Sequence, residues 1–170
     1  MEYHYILLGI LIVVAFYTDV TKSLLPNWLT MSGVAVGVLF HLIIGGLDGL
    51  LFSFIGLLFG GGLLMLLYLF KAIGAGDVKL FAAIGAIAGF HFTLYTLMYS
   101  IFFAGIIGAF ILLFRKQFVS RMVYAIYRIV GSIMSRDIKS LEDFKRIEST
   151  RFPFMYAVLP GVIVTISTFL

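Results

Sequence analysis

The sequence predicts an all-α, polytopic membrane protein with about six transmembrane helices. Of its 170 residues, 62% are hydrophobic and only 12% are charged, whereas an average soluble domain is about one quarter charged. The apolar residues form runs that can cross about 30 Å of hydrocarbon as helices. A soluble globular domain is therefore excluded. We expect one membrane-embedded domain over residues 1–170, with a basic cytoplasmic loop at 115–153.

Turn signals and charges divide the apolar sequence into six candidate spans. The chain begins without the basic region and the cleavage site of a secretory signal peptide, so we predict a retained first helix. The fourth and fifth spans are separated at 89–91, because one helix from Lys79 to Arg115 would be about 50 Å long. The predicted spans are residues 3–18, 28–44, 47–70, 78–90, 93–113 and 154–169.

The basic residues predict the orientation of these spans. With six crossings, every Lys and Arg falls on one side of the membrane: Lys22 in the first loop, Lys71 and Lys79 around the third, and the rest in the fifth. Basic loops stay in the cytoplasm. We therefore expect a multi-pass protein of the cell membrane, with its N-terminus outside and the three basic loops inside.

The fifth loop is the longest polar stretch, and its first half predicts an amphipathic helix at the membrane surface. Alternatively, the apolar face of this helix packs on the protein's own helices or on a substrate. The net charge of +4 is explained by a bilayer surface rather than by a nucleic-acid partner. The apolar positions at helical spacing are Val119, Met122, Val123, Ile126, Ile129, Val130 and Ile133.

Two acidic residues stand out, because the predicted topology places both at cytoplasmic helix ends. Asp19 ends the first span, shortly before a Pro26-Asn27 turn opens the second. Asp77 follows a flexible Gly74-Ala75-Gly76 turn and opens the fourth. Acids close to membrane spans are costly and therefore need an explanation. The other six acids lie at outer helix ends or in the polar loop.

Two close carboxylates can share one proton and provide both the base and the acid that peptide hydrolysis needs. The flanking glycines would let a peptide backbone approach, and Lys79 would orient the pair or bias its charge. In a purely structural alternative, Asp77 is a helix N-cap and Asp19 is an interfacial charge with satisfied hydrogen bonds. Spacing alone leaves both interpretations open.

These residues carry a resemblance to a known family. Three features resemble the type IV prepilin peptidases: the motif Gly74-Ala-Gly76-Asp77-Val-Lys79, the spacing from Asp19 to Pro26-Asn27, and Pro153-Phe154 opening the last span. Those proteins are membrane aspartyl proteases with a Gly-x-Gly-Asp motif. The resemblance covers the whole chain in span order. Leu25 and Lys22 stand where many members have Ile and Arg, which are mild departures.

The resemblance implies that Asp19 and Asp77 are the catalytic pair and that Gly74, Gly76, Lys79, Pro26 and Asn27 support it. It implies removal of a short basic leader from prepilin-like substrates at the cytoplasmic face, after a glycine and before a hydrophobic helix. The chain lacks the paired-cysteine extension of bifunctional members, so methylation is not expected. It looks like the small stand-alone enzymes of Flp-type pili, with competence-pseudopilin and archaeal preflagellin peptidases as close alternatives.

No cofactor and no metal are expected. The absence of cysteine excludes thiolate sites, and the three histidines show no ligand spacing.

Two other classes of function remain as rivals. One is a small proton- or ion-coupled transporter that uses Asp19 and Asp77, and the other is a non-enzymatic assembly factor whose glycine-rich helices only mediate packing.

Overall fold

Four helices make up the part of the chain that the computed structural model describes, which is residues 3–22, 24–70, 73–114 and 154–169. They are α1 (Tyr3–Lys22), α2 (Asn27–Leu69), α3 (Ala75–Phe114) and α4 (Met155–Phe169). No strand occurs in these ranges. The predicted amphipathic helix lies outside the described residues, as does Pro153.

The helices α2 and α3 each bend sharply at one glycine. Gly46 has φ 58° and ψ −137°, and Gly89 has φ 79° and ψ −179°. Residues other than glycine rarely adopt such φ values. In a straight helix, residues 41 and 49 would lie about 12 Å apart, yet a Cβ at Gly49 would overlap the His41 carbonyl. The chain therefore folds back at Gly46.

The bend at Gly89 has the same effect on α3. A Cβ at Gly60 would meet both the backbone of Phe81 and the side chain of Thr93, two positions that a straight helix would hold about 18 Å apart. We call residues 27–45 and 47–69 the first and second arms of α2, and residues 75–88 and 90–114 the first and second arms of α3. The turn predicted at 89–91 is confirmed.

The end of α1 lies beyond the predicted end of the first span. The first span was expected to end at Thr18, before the charge of Asp19, but α1 continues to Lys22. Asp19 lies inside the helix and is only 8% exposed, because its carboxylate accepts a hydrogen bond from another helix. Charge in the sequence therefore does not mark the end of the helix.

The first arm of α3 is the most deeply buried segment. Its residues Leu80, Phe81 and Ile84 are fully buried, and glycines from α2 contact its backbone. A Cβ at Gly56 would overlap the Gly85 carbonyl, and one at Gly37 would lie 2.9 Å from the Ala86 carbonyl carbon. Glycines at these crossings let helix backbones touch. Glycine at positions 37 and 56 therefore permits close packing of α2 on α3.

Polar side chains satisfy the carbonyls at the end of this arm. The last carbonyls of a helical segment have no partner within the helix. Ser53 Oγ donates to the Ala86 carbonyl at 2.7 Å, and His41 Nε2 lies 2.8 Å from the Ile87 carbonyl oxygen. His41 thus has a structural partner. The bend at Gly89 is tolerated because α2 supplies these hydrogen bonds.

We predict that Ser53→Ala destabilises the protein by about 1–3 kcal/mol, because it leaves the Ala86 carbonyl buried without this donor. The matched control is Ser100→Ala. Ser100 is equally buried, but it donates to the Thr96 carbonyl one turn earlier in its own helix. Thermal unfolding in detergent measures both variants. Equal losses for the two serines would contradict this explanation of the bend.

The outer surface of the helices is strongly apolar. Large hydrophobic side chains such as Ile43 and Phe70 are 81% and 82% exposed, which is typical of helices surrounded by lipid. Among the described residues, three helices, α1, α2 and α3, are long and apolar enough to cross a membrane, and α4 is shorter but also apolar. The chain is a membrane protein.

Contacts between residues divide the chain into two units. One comprises Met1–Ala104 with Pro153–Leu170, and it contains every helix crossing described above. The other is Gly105–Phe152, of which the structure describes the end of α3. Whether the whole chain acts as one domain stays a prediction.

Candidate active site

Four helix ends meet at one end of the first unit. The last turn of α1 carries Asp19, which contacts the start of α4. Asn27 at the start of α2 contacts Lys79 in the first arm of α3. The far end of the unit contains the Gly46 and Gly89 bends together with His4 and His41, whose ring centroids lie 6.3 Å apart. The candidate residues are thus gathered at one end.

The Asp19 side chain connects α1 to α4. Its Oδ2 accepts a hydrogen bond from the Met155 backbone N–H at 3.3 Å, and Met155 is the first residue of α4. The end of α1 disfavours an anion there, because helix dipoles present negative charge at their C-termini. The start of α4 offsets this effect with its positive end. Tertiary packing therefore accommodates the buried carboxylate.

Asp77 belongs to a capping arrangement at the start of α3. Asp77 N–H donates to the Gly74 carbonyl at 3.2 Å, and Gly74 N–H donates back to Asp77 Oδ2, also at 3.2 Å. The bond from the cap N–H to the side chain of the third helical residue is the one that a capping box contains, and here the cap carbonyl takes the place of a cap side chain as the second acceptor. Gly74 is therefore the N-cap. Asp77 is the third residue of the helix, which corrects the alternative that made it the N-cap.

Gly76 brings this turn close to the loop between α1 and α2. A Cβ at Gly76 would lie 3.1 Å from the Leu25 Cβ, which is tighter than ordinary contact. The loop ends at Pro26, whose extended backbone (φ −68°, ψ 137°) opens α2 and whose carbonyl accepts from Leu29 N–H. Glycine at 76 therefore allows the Asp77 turn to pack on the loop that follows Asp19.

Asp19 and Asp77 lie at the same end of the unit, because Gly76, which precedes Asp77, packs on Leu25 in the loop that follows α1. Asp77 is half-buried and Asp19 is buried. Both carboxylates face the positive end of a helix, α3 for Asp77 and α4 for Asp19. The fold thus brings together the two acids that the sequence singled out.

Lys79 connects α3 to α2. Its Nζ donates to Asn27 Oδ1 at 2.7 Å, and both side chains are exposed. Within the described residues, Lys79 forms no ion pair with either aspartate. Its observed contact fixes the Asp77 turn to the start of α2. The two supporting residues Lys79 and Asn27 are therefore partners of each other.

A comparison with known protein families shows which family the chain belongs to. The sequence model of the type IV leader peptidase family matches residues 6–113, which include Asp19, the Pro26-Asn27 turn and Asp77. The chain belongs to the type IV leader peptidase family. No curated protein and no solved structure gives a significant match.

Within this leader peptidase, the family match ends before α4, which begins at Met155. The Met155 amide is nevertheless the donor that reaches Asp19. In the sequence, Pro153-Phe154 indicates only the start of the last span. A backbone amide has no side-chain signature, so no sequence motif points to this contact.

Proposed function

We propose that this leader peptidase is an aspartyl endopeptidase in which Asp19 and Asp77 form the catalytic pair. The observation that carries the proposal is that one acid from α1 and one from α3 lie at the same end of the unit, where Gly76, next to Asp77, packs on Leu25 in the loop that follows α1. Structural hydrogen bonds engage Oδ2 of each residue. Each carboxylate has a second oxygen, and those oxygens are the groups we assign to chemistry.

In the proposed reaction, the pair holds one proton between its two carboxylates. The ionised carboxylate removes a proton from water, and the resulting hydroxide attacks the carbonyl carbon of the scissile bond. The protonated carboxyl gives its proton to the carbonyl oxygen. The tetrahedral intermediate then collapses: one of its hydroxyls gives its proton to the carboxylate that had lost one, the C–N bond breaks, and the leaving nitrogen takes a proton from the other carboxyl, which restores the pair. Because the two groups titrate as a unit, we assign neither role to one residue.

We propose six membrane crossings, with the site on the cytoplasmic side. The bends at Gly46 and Gly89 divide α2 and α3 into two arms each, so that four helices provide six segments. Lys22 and Lys79 lie at the end of the unit that contains the aspartates. Basic residues favour the cytoplasmic side. The N-terminus would then lie outside.

The proposed substrates are prepilin-like proteins with a basic leader, a glycine before the cut and a hydrophobic helix after it. Membership of the leader peptidase family supports this class and does not favour the transporter alternative. Competence pseudopilins and archaeal preflagellins are related substrates. The site lies at a helix end, where a bond beside a membrane-held substrate helix would be presented.

The direct test is co-expression of this chain with a tagged prepilin of that design. We expect a shorter product whose new N-terminus, read by mass spectrometry, is the residue after the glycine. Substitution of that glycine by a bulky residue should block the cut. An uncut prepilin beside a correctly inserted enzyme would contradict the proposed function.

Loss of the contact between Lys79 and Asn27 should slow cleavage by up to about fivefold, because a charged hydrogen bond between exposed side chains contributes about 1 kcal/mol at most. We predict this loss for Lys79→Met and for Asn27→Leu. The double variant should be no slower than either single variant, because both remove one shared interaction. Rates are measured on purified enzyme in lipid nanodiscs. Multiplying losses would show that the two residues act separately.

A further inference from the structure

We propose that the Met155 backbone N–H is a positioning group that fixes the Asp19 carboxylate for catalysis. The inference rests on the proposed function and adds α4, which lies beyond the matched family region, to the working site. The contact joins Met155 N to Asp19 Oδ2 at 3.3 Å. It connects residues 136 positions apart in the sequence.

Asp19 requires such a donor because of where it lies. Its side chain is 8% exposed and stands near the C-terminal end of α1, where the helix dipole disfavours negative charge. A buried carboxylate without hydrogen bonds is costly and would turn toward solvent or remain protonated. The Met155 N–H prevents this by binding one oxygen and leaving the other for the reaction.

The donor itself is held firmly. The Met155 side chain is fully buried, and the preceding Phe154 carbonyl accepts from Ala157 N–H at 2.9 Å and from Val158 N–H at 3.2 Å. One residue on, the Tyr156 ring meets the Phe16 ring of α1 edge to face at 5.6 Å. A donor fixed before substrate binds can orient a charged group without reorganisation during the reaction.

The test removes this donor and little else. Proline is tolerated at the first position of a helix, and the non-helical backbone of a cap residue suits the position before proline. Met155→Pro therefore lacks the N–H while α4 can still form. Met155→Ala is the matched control, because it loses the same side chain but retains the N–H.

We expect Met155→Pro to lower kcat by about tenfold to a hundredfold relative to Met155→Ala, as for loss of a hydrogen bond to a charged group. KM should be equal in the two variants, because the contact orients Asp19 rather than substrate. The substrate is the purified prepilin described above. Equal kcat values for Met155→Pro and Met155→Ala would overturn the inference.

A second variant distinguishes the loss of the N–H from misfolding of the Met155→Pro protein. Incorporation of the α-hydroxy analogue of methionine at 155 replaces the N–H by an ester oxygen and retains the side chain. We expect the same fall in kcat, and a wild-type kcat would overturn the inference while the proposed function stands. A wild-type enzyme that leaves the prepilin uncut would overturn the proposed function and this inference with it.

Discussion

Asp77→Asn and Asp19→Asn are each expected to abolish leader cleavage, with a loss of about a thousandfold or more, since each removes half of an acid–base pair. The fold should survive both changes. An asparagine oxygen at 77 can still accept the Gly74 N–H, and one at 19 can still accept the Met155 N–H. The measurement is prepilin processing in membranes, scored beside the amount of inserted enzyme.

Asp48→Asn is the matched control for this experiment. Asp48 is exposed and lies close to the Gly46 bend, at the opposite end of the unit from Asp19. Its loss should leave processing unchanged. Asp77→Ala should cost more than Asp77→Asn in stability, because it also removes the side-chain half of the capping arrangement. Full cleavage by either asparagine variant would refute the catalytic pair.

Gly56→Ala is expected to destabilise the protein by about 1–3 kcal/mol or more, because overpacked cores force backbones apart. An added Cβ would overlap the carbonyl of Gly85 in the first arm of α3. That carbonyl belongs to backbone and cannot rotate away. The same arm carries Asp77 at its start, so displacement of the arm should also reduce prepilin cleavage.

The matched control is Gly62→Ala in the same helix. Nothing lies within 4 Å of a Cβ built at Gly62, and alanine favours helix over glycine by about 1 kcal/mol. Gly62→Ala should therefore be neutral or stabilising. Unfolding in mixed micelles separates the two variants. Equal stability of the Gly56 and Gly62 variants would show that the arms do not cross in backbone contact.

The elements that can be predicted from the sequence are those whose cause is local. The break between 44 and 47 and the turn at 89–91 can both be predicted, because each lies in an apolar run that is too long for one crossing and contains glycine. The structure places positive φ at Gly46 and Gly89. Asp19 and Asp77 can be singled out because so few charges occur near the spans. In such an apolar chain, a lone carboxylate at a helix end is conspicuous.

Contacts between distant residues could not be predicted in this way. The Asp19 charge suggested a span end at Thr18, whereas a donor from α4 allows α1 to continue to Lys22. No sequence pattern indicated a partner for His41, yet its ring lies at hydrogen-bond distance from the Ile87 carbonyl, 46 positions away. Such pairings depend on how the helices pack, and the periodicity of apolar residues in the sequence does not indicate them.

The most direct test of the central claim is a cycle of Asp19→Asn, Asp77→Asn and the double variant, measured as single-turnover cleavage of purified prepilin. If the two aspartates work as one unit, all three variants should fall to the same residual rate, because removal of either member disables the pair. Cleavage near the wild-type rate by one single variant, or a double variant slower by the product of the two single losses, would contradict it.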